Sequence, residues 1–307
     1  MPAARMWRAA ASVVVALATG VLVASPASAQ EQAQDKAQQP APVGRYVAMG
    51  DSYTAGPLVP IQTGKPVGCL RSTNNYPALV AKGLAVTTAQ DVSCSGATTA
   101  NLAGPQRTGL GTNAAQLDAL GPDVSLVTLG IGGNDIGFVS IVAECATRSP
   151  LKPTGAACRD HYTGTGSDEL ATRIDATAPR IAAALAAVTA RAPQAHVLLV
   201  GYPALLPDTG DGCFPFVPFS AGDVDYLRGV EQKLNTMLAD QAAAAGVDYV
   251  DTYTPSIGHD MCADHGVRWI EGLIPTSPAA PAHPNAAGMR GMADAVLGAL
   301  APSSNVA

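Results

Sequence analysis

Short apolar runs alternate with longer, alanine-rich amphipathic segments along residues 45–300. The runs that read as strands lie at residues 45–49, 92–96, 123–129, 196–200 and 247–250. Helical spacing predicts helices at residues 76–84, 168–178, 180–191, 223–245 and 284–300, with Pro179 parting the second from the third. Strands that alternate with helices predict a three-layer α/β/α domain around a central, mainly five-stranded parallel sheet of flavodoxin-like type.

The first residues have a different pattern. Arg5 and Arg8 precede an apolar run at residues 9–24, and the small residues Ala27-Ser28-Ala29 follow it. This is the pattern of a secretory signal peptide, and the run is shorter than the roughly 20 apolar residues that a membrane anchor needs. We therefore expect a signal peptide at 1–29, a Gln-, Ala- and Pro-rich polar tail or tether at 30–44, a single domain at 45–307 and a secreted protein.

Composition and charge narrow the class of protein. With 48% hydrophobic residues and 14% charged residues, the chain is unlike disordered sequences, which combine low hydrophobicity with high charge. Its 18 Lys and Arg against 24 Asp and Glu also argue against nucleic-acid binding, which needs a basic face.

Export would place the cysteines in an oxidising compartment, where an even number favours disulfides. The six residues allow 15 connectivities, among which the residues alone do not choose; they are Cys69, Cys94, Cys145, Cys158, Cys213 and Cys262. A metal site at His259-x2-Cys262-x2-His265 is the alternative, but zinc sites usually have a second cluster of ligands and none is apparent. We expect disulfides and no metal.

Glycine-rich loops with short polar side chains follow three of the predicted strands, at residues 50–56 (GDSYTAG), 94–99 (CSGATT) and 130–135 (GIGGND). Ligands of parallel α/β sheets bind outside the carboxyl ends of the strands. Ser52 could therefore present its hydroxyl there, Gly96 a backbone N–H and Asn134 a side-chain amide. Each loop also has an ordinary interpretation, because Ser, Asp and Asn are common as helix caps and in turns.

A histidine near the C-terminus could join them. In His283-Pro284-Asn285, Pro284 suits the first position of the last predicted helix, which places His283 at the entrance of that helix, on a loop beside the crevice.

The order Ser52, Gly96, Asn134, His283 resembles that of the SGNH hydrolases, the GDSL-type esterases and lipases, and in particular their secreted actinomycete branch. The resemblance spans residues 45–300 and implies disulfides in sequential order. It also implies that Ser52 attacks an ester carbonyl while His283 moves its proton. The oxyanion hole would consist of the N–H groups of Ser52 and Gly96 and the Asn134 amide, with no cofactor.

The chain departs from the family at one position. Many members have an Asp three residues before the histidine, but Ala280 stands there. Some secreted members orient the histidine by a main-chain carbonyl, so the carbonyl of Ala280 or Pro281 is our hypothesis. Asp260 and Asp264 are the rival partners.

The resemblance implies a secreted, monomeric lipase or esterase acting on fatty-acyl esters, probed most directly by a chain-length series. Phospholipid or polysaccharide acetyl esters are alternative substrates, and a non-catalytic glycan-binding module is an alternative of another class. Three of the four phenylalanines lie in residues 213–219 (CFPFVPF), where they suit either an acyl chain or lipid surface, or a disulfide-anchored loop folded onto the core.

Overall fold

Five parallel strands form the central sheet of the computed structural model, which describes residues 44–301. The strands are β1 (Arg45–Gly50), β2 (Thr88–Asp91), β3 (Val124–Gly130), β4 (His196–Val200) and β5 (Asp248–Val250). Their order is β2-β1-β3-β4-β5, and every neighbouring pair is parallel. The predicted flavodoxin-like sheet is confirmed, and the chain reverses its direction of winding between β1 and β3.

Helices cover both faces of this sheet. They are α1 (Ser52–Ala55), α2 (Tyr76–Gly83), α3 (Ala100–Ala103), α4 (Phe138–Arg148), α5 (Ala157–Thr163), α6 (Glu169–Arg191), α7 (Ala221–Ala245) and α8 (Ala286–Leu300). On one face Val47 packs in a core with residues of α6 and α7, and on the other Tyr46 packs with residues of α2 and α8. Adjacent residues of a strand point to opposite faces, so the two cores follow from the alternation along β1.

The second strand differs from the prediction at residues 92–96, because β2 ends at Asp91. This edge strand is largely polar and three of its four residues are exposed, so the hydrophobic pattern does not reveal it. The predicted segment instead continues beside β1, where the N–H groups of Val92 and Cys94 donate to the carbonyls of Ala48 and Gly50.

Two helix predictions that relied on a proline were also wrong. Helix α6 runs through Pro179 without a break, since Ile174 and Ile181 on either side are fully buried and their packing outweighs the missing hydrogen bond. Helix α8 begins at Ala286 rather than Pro284, because the Asn285 side chain caps it by accepting from the N–H groups of Ala287 and Gly288. Helices α4 and α5 were not predicted at all.

In the structure the cysteines are joined in sequential order, as Cys69–Cys94, Cys145–Cys158 and Cys213–Cys262. The second of these bonds connects α4 to α5. No helix within residues 44–301 combines the length and the apolarity that a membrane crossing needs. The predicted signal peptide at 1–29 lies outside the described residues, as does nearly all of the predicted tail at 30–44.

Candidate active site

A sharp turn at the end of β1 presents Ser52 at the first position of the short helix α1. Gly50 has φ +146°, and a Cβ there would lie 2.4 Å from the carbonyl oxygen of Gly130, so the turn requires glycine. The next residue, Asp51, caps α1 by accepting a hydrogen bond from the Tyr53 N–H at 2.9 Å. The chain thus turns where the strand order reverses, which is where parallel sheets bind their ligands.

The structure brings Ser52 and His283 together, although 231 positions separate them in the chain. The distance from the Ser52 Oγ to the His283 Nε2 is 2.8 Å. That is hydrogen-bond reach for a nucleophile and its general base.

The other nitrogen of the imidazole determines its tautomer. The His283 Nδ1 lies 2.7 Å from the carbonyl oxygen of Pro281, which can only accept a hydrogen bond. Nδ1 therefore carries the proton, and Nε2 is the bare nitrogen that faces the serine hydroxyl. Burial lowers the pKa of His283 below 6.5, although the bond to Pro281 opposes this shift, so the ring is neutral at neutral pH.

The turn that holds the imidazole is fixed from two sides. Tyr53 packs its ring 4.9 Å from that of His283 and donates its hydroxyl to the carbonyl of Ala282 at 2.6 Å. On the other side, the Glu271 N–H donates to the His283 carbonyl. Burial of the Glu271 carboxylate opposes its ionisation, but bonds from Asn285, Thr276 and Ser277 hold its pKa below the usual value.

The loops that follow β2 and β3 are joined to each other. The Asn134 Nδ2 donates to the carbonyl of Ala97 at 2.9 Å, and the Asp135 carboxylate accepts from the N–H and hydroxyl of Thr99. One amide hydrogen of Asn134 is used in this bond and the second remains for a ligand. Gly96 lies on the same loop in the left-handed region, with φ +79°, and is exposed.

A buried tyrosine that the sequence analysis missed connects three strand ends. Tyr202 follows β4, donates its hydroxyl to the Asp51 carboxyl at 2.6 Å and accepts from the Gly133 N–H at 2.8 Å. Burial raises the pKa of Asp51 to about 7, and the bond from Tyr202 only partly opposes it. Tyr202 follows the predicted strand at 196–200, so the binding of ligands beyond strand ends is the sequence signal that points to it.

A second missed residue is Gln116, whose side chain is fully buried. Its Oε1 accepts from the Gly50 N–H at 2.7 Å, and its Nε2 donates to the Gly50 carbonyl at 2.9 Å. Gln116 thus binds both backbone polar groups of Gly50, where the turn that presents Ser52 begins. It lies in a short helical turn that follows none of the strands predicted from the sequence, so no sequence signal identified it.

An apolar pocket leads away from Ser52 and Asn134. It is lined mainly by aliphatic and aromatic side chains, namely Ile136, Phe138, Ile141, Val142, Leu205, Leu206, Phe219, Leu227, Val230, Leu234 and Met261. The unpredicted helix α4 supplies three of them and α7 another three. Such a pocket suits an apolar chain attached to a group at Ser52.

Residues 213–219 divide between the two roles expected of them. Phe219 is 1% exposed and lines the pocket, whereas Phe216 is 87% exposed and Phe214 also faces solvent. The loop is therefore partly core and partly apolar surface.

The remaining candidates do not join the Ser52–His283 pair. Asp260 is buried and accepts from the N–H of Cys262, and Asp264 is exposed. The ring of His259 stacks on Trp269 at 4.4 Å. Because Cys262 is in a disulfide, it offers no thiolate for the alternative metal site.

Comparison with known proteins adds independent evidence. The GDSL-like Lipase/Acylhydrolase family matches residues 48–290. A Streptomyces coelicolor protein named Lipase 2 is 40% identical over 96% of this chain and 97% of its own. Among solved structures, phospholipase A1 from Streptomyces albidoflavus has a TM-score of 0.70 at 29% identity, over 84% of this chain and 99% of its own. An extracellular lipase from Streptomyces rimosus has a TM-score of 0.68 at 27% identity, over 83% and 99%.

Proposed function

The chain belongs to the GDSL-like lipase/acylhydrolase family, and we propose that Ser52 and His283 carry out its reaction on fatty-acyl esters. That the protein is an ester hydrolase of the lipase or esterase type follows from the family and from its Streptomyces relatives. The assignment of Ser52 and His283 to the reaction rests on the distance of 2.8 Å between the Ser52 Oγ and the unprotonated Nε2 of His283.

The proposed reaction has two halves. In the first, Ser52 attacks the ester carbonyl and His283 takes the hydroxyl proton at Nε2, then gives it to the leaving alcohol. In the second, water attacks the carbonyl of the acyl-enzyme while His283 takes a proton from it, the ester bond to Ser52 breaks, and His283 returns the proton to the Ser52 Oγ as the carboxylic acid leaves. The imidazolium formed in each half is stabilised by the carbonyl of Pro281 at Nδ1.

The negative charge on the carbonyl oxygen would be met by three donors. These are the N–H groups of Ser52 and Gly96 and the free amide hydrogen of Asn134. Within residues 44–301 neither backbone N–H has a hydrogen-bond acceptor. Removing one such donor typically costs about 2.7–4 kcal/mol of transition-state stabilisation.

The apolar pocket supports a fatty-acyl substrate over an acetyl ester, because a two-carbon group would leave most of that surface unused. The structurally similar protein from Streptomyces albidoflavus is named a phospholipase A1, so phospholipid acyl esters are the nearest second candidate. The exposed Phe214 and Phe216 suit contact with a lipid surface.

Secretion is part of the proposal. It is supported by the three disulfides, which persist in oxidising compartments, and by the similarity to an extracellular lipase. We also propose that the protein acts as a monomer and that its reaction needs neither a metal nor a cofactor.

Hydrolysis of p-nitrophenyl esters tests the assignment. Wild-type protein should hydrolyse a series of acyl lengths with a preference for chains longer than acetyl, and should be inactivated by a serine-directed phosphonate. Ser52→Ala should lose activity and labelling, and Asn134→Ala should lose about 100- to 1,000-fold in kcat with labelling retained. A wild-type protein that hydrolyses no ester and takes up no phosphonate would favour a binding module instead.

A further inference from the structure

One carboxyl group inside the apolar pocket takes no part in the proposed reaction. Glu231 lies on α7 between Val230 and the exposed Gln232, and it lines the same pocket as Ser52. Only 7% of its surface is exposed. A charged residue type in an apolar pocket is costly to bury, so its presence calls for an explanation.

The two oxygens of this carboxyl group have different surroundings. Oε2 accepts a hydrogen bond from the Leu205 N–H at 3.1 Å. Oε1 is fully buried and has no hydrogen-bond partner among the described residues. Arg228, one turn earlier on the same helix, donates to the Pro207 carbonyl and to Asp225, so it does not neutralise Glu231.

These surroundings favour the neutral form of the carboxyl group. Burial raises the pKa of Glu231 well above its usual value, and the nearby Asp260 carboxylate adds to the effect, while the bond from Leu205 opposes it. A neutral carboxylic acid keeps one acceptor oxygen, which Leu205 uses, and has one O–H donor. Away from its catalytic end, the pocket is lined by apolar side chains apart from Glu231, whose Oε1 has no hydrogen-bond partner among the described residues.

We propose that Glu231 is a specificity-determining residue that binds an oxygen atom carried on the acyl chain, so that the enzyme prefers esters of hydroxy- or oxo-substituted fatty acids. The inference rests on the proposed function, in which the acyl chain of a Ser52 substrate occupies this pocket. An oxygenated chain gives the buried carboxyl its missing partner, whereas a plain chain leaves it unpaired. A site built to hydrogen-bond a substrate hydroxyl discriminates strongly against the analogue that lacks it.

Matched p-nitrophenyl esters test this proposal. Each pair has the same chain length, with one hydroxyl group in one member and none in the other, and the hydroxyl position moves along the chain from pair to pair. For wild-type protein, the ratio of kcat/KM for the hydroxylated ester to that for the plain ester should peak at one position, at about tenfold or more. In Glu231→Leu the peak should disappear, so that the ratio is the same at every hydroxyl position.

Two further variants separate the donor from other effects. Glu231→Gln retains an acceptor for Leu205 and an N–H donor toward the pocket, so it should keep most of the preference. Asp240→Leu makes a similar acidic-to-apolar change at an exposed position of the same helix and should leave the ratio unchanged.

The outcomes are distinguishable from failure of the proposed function. Hydrolysis of plain esters by wild type, with no peak at any hydroxyl position, would overturn the proposal and leave the Ser52 assignment intact. An equal peak in wild type and Glu231→Leu would also overturn it. Absence of any ester hydrolysis would overturn the proposed function itself. If Glu231→Leu fails to fold, the wild-type ratio still tests the proposal, because the absence of a peak would overturn it.

Discussion

Replacing Gln116 by leucine tests whether the turn that presents Ser52 depends on the buried side chain that binds Gly50. Leucine has a similar volume, so the change removes hydrogen bonds without opening a large cavity. The Gly50 N–H loses the bond to Gln116, and as a buried donor without a partner it costs about 1–3 kcal/mol. The Gly50 carbonyl also loses a bond, but it keeps the one from the Cys94 N–H, so its loss is about 0.5–1.5 kcal/mol.

We therefore expect Gln116→Leu to lower the free energy of unfolding by about 2–4 kcal/mol. The measurement is urea-induced unfolding with the disulfides intact, because reshuffling would break two-state behaviour. Gln194→Leu is the matched control, since Gln194 is exposed in the turn before β4, and it should change stability by less than about 0.5 kcal/mol.

Activity gives a second measurement on the same variant. Asp51 and Ser52 follow Gly50 directly, so a loosened turn misplaces the hydroxyl, and displacements near 1 Å can cost about 100-fold in rate. We expect kcat to fall roughly ten- to 100-fold on a short-chain ester with the fold retained. If Gln116→Leu matched Gln194→Leu in both stability and kcat, the role assigned to Gln116 would be refuted.

Two further predictions concern protons. Because His283 is the proposed general base and burial lowers its pKa from 6.5, kcat/KM should fall on acidification with a midpoint below pH 6.5, and a midpoint at or above that value would contradict the effect assigned to burial. Asp51 has a pKa of about 7 in the folded protein, against 3.8 when unfolded. Between these values the unfolded chain releases a proton that the folded protein keeps, so the free energy of unfolding falls as pH rises. The total decrease from Asp51 is on the order of 4 kcal/mol. Asp51→Asn should flatten that decline when urea unfolding is measured at pH 5 and pH 8, and a slope equal to that of wild type would show that Asp51 is ionised in the folded protein.

Those parts of the site that depend on strand ends could be predicted from the sequence. Ser52 and Asn134 follow strands with strong hydrophobic patterns. Ligands of parallel α/β sheets bind outside the carboxyl ends of the strands, so both loops are predicted to lie at the same crevice. His283 follows no such strand, and it was indicated by Pro284 at the start of the last predicted helix and by the order of the four motif residues. The polar edge strand β2 escaped because hydrophobicity does not mark it.

Other features could not be predicted because they depend on three-dimensional packing. Gln116 and Glu231 are residue types that usually lie at the surface, and nothing in their neighbours distinguishes them from exposed residues. Helix α6 continues through Pro179 because both of its halves are buried on the sheet, which is a tertiary effect. The pocket itself is assembled from α4, α7 and three loops, so its shape is not encoded in any one segment.

The bond between the His283 Nδ1 and the Pro281 carbonyl has a consequence for how this enzyme can vary over evolutionary time. A main-chain acceptor is present whatever side chain occupies the position, so no single codon change deletes it, and it has no ionised form to lose in acid. Selection then acts on the residues that hold the turn in place. These include Tyr53, which donates to the Ala282 carbonyl, and Glu271, whose N–H donates to the His283 carbonyl. Lineages with this arrangement are free to change residue 280, whereas substitutions at Tyr53 should be selected against because its hydroxyl holds the Ala282 carbonyl.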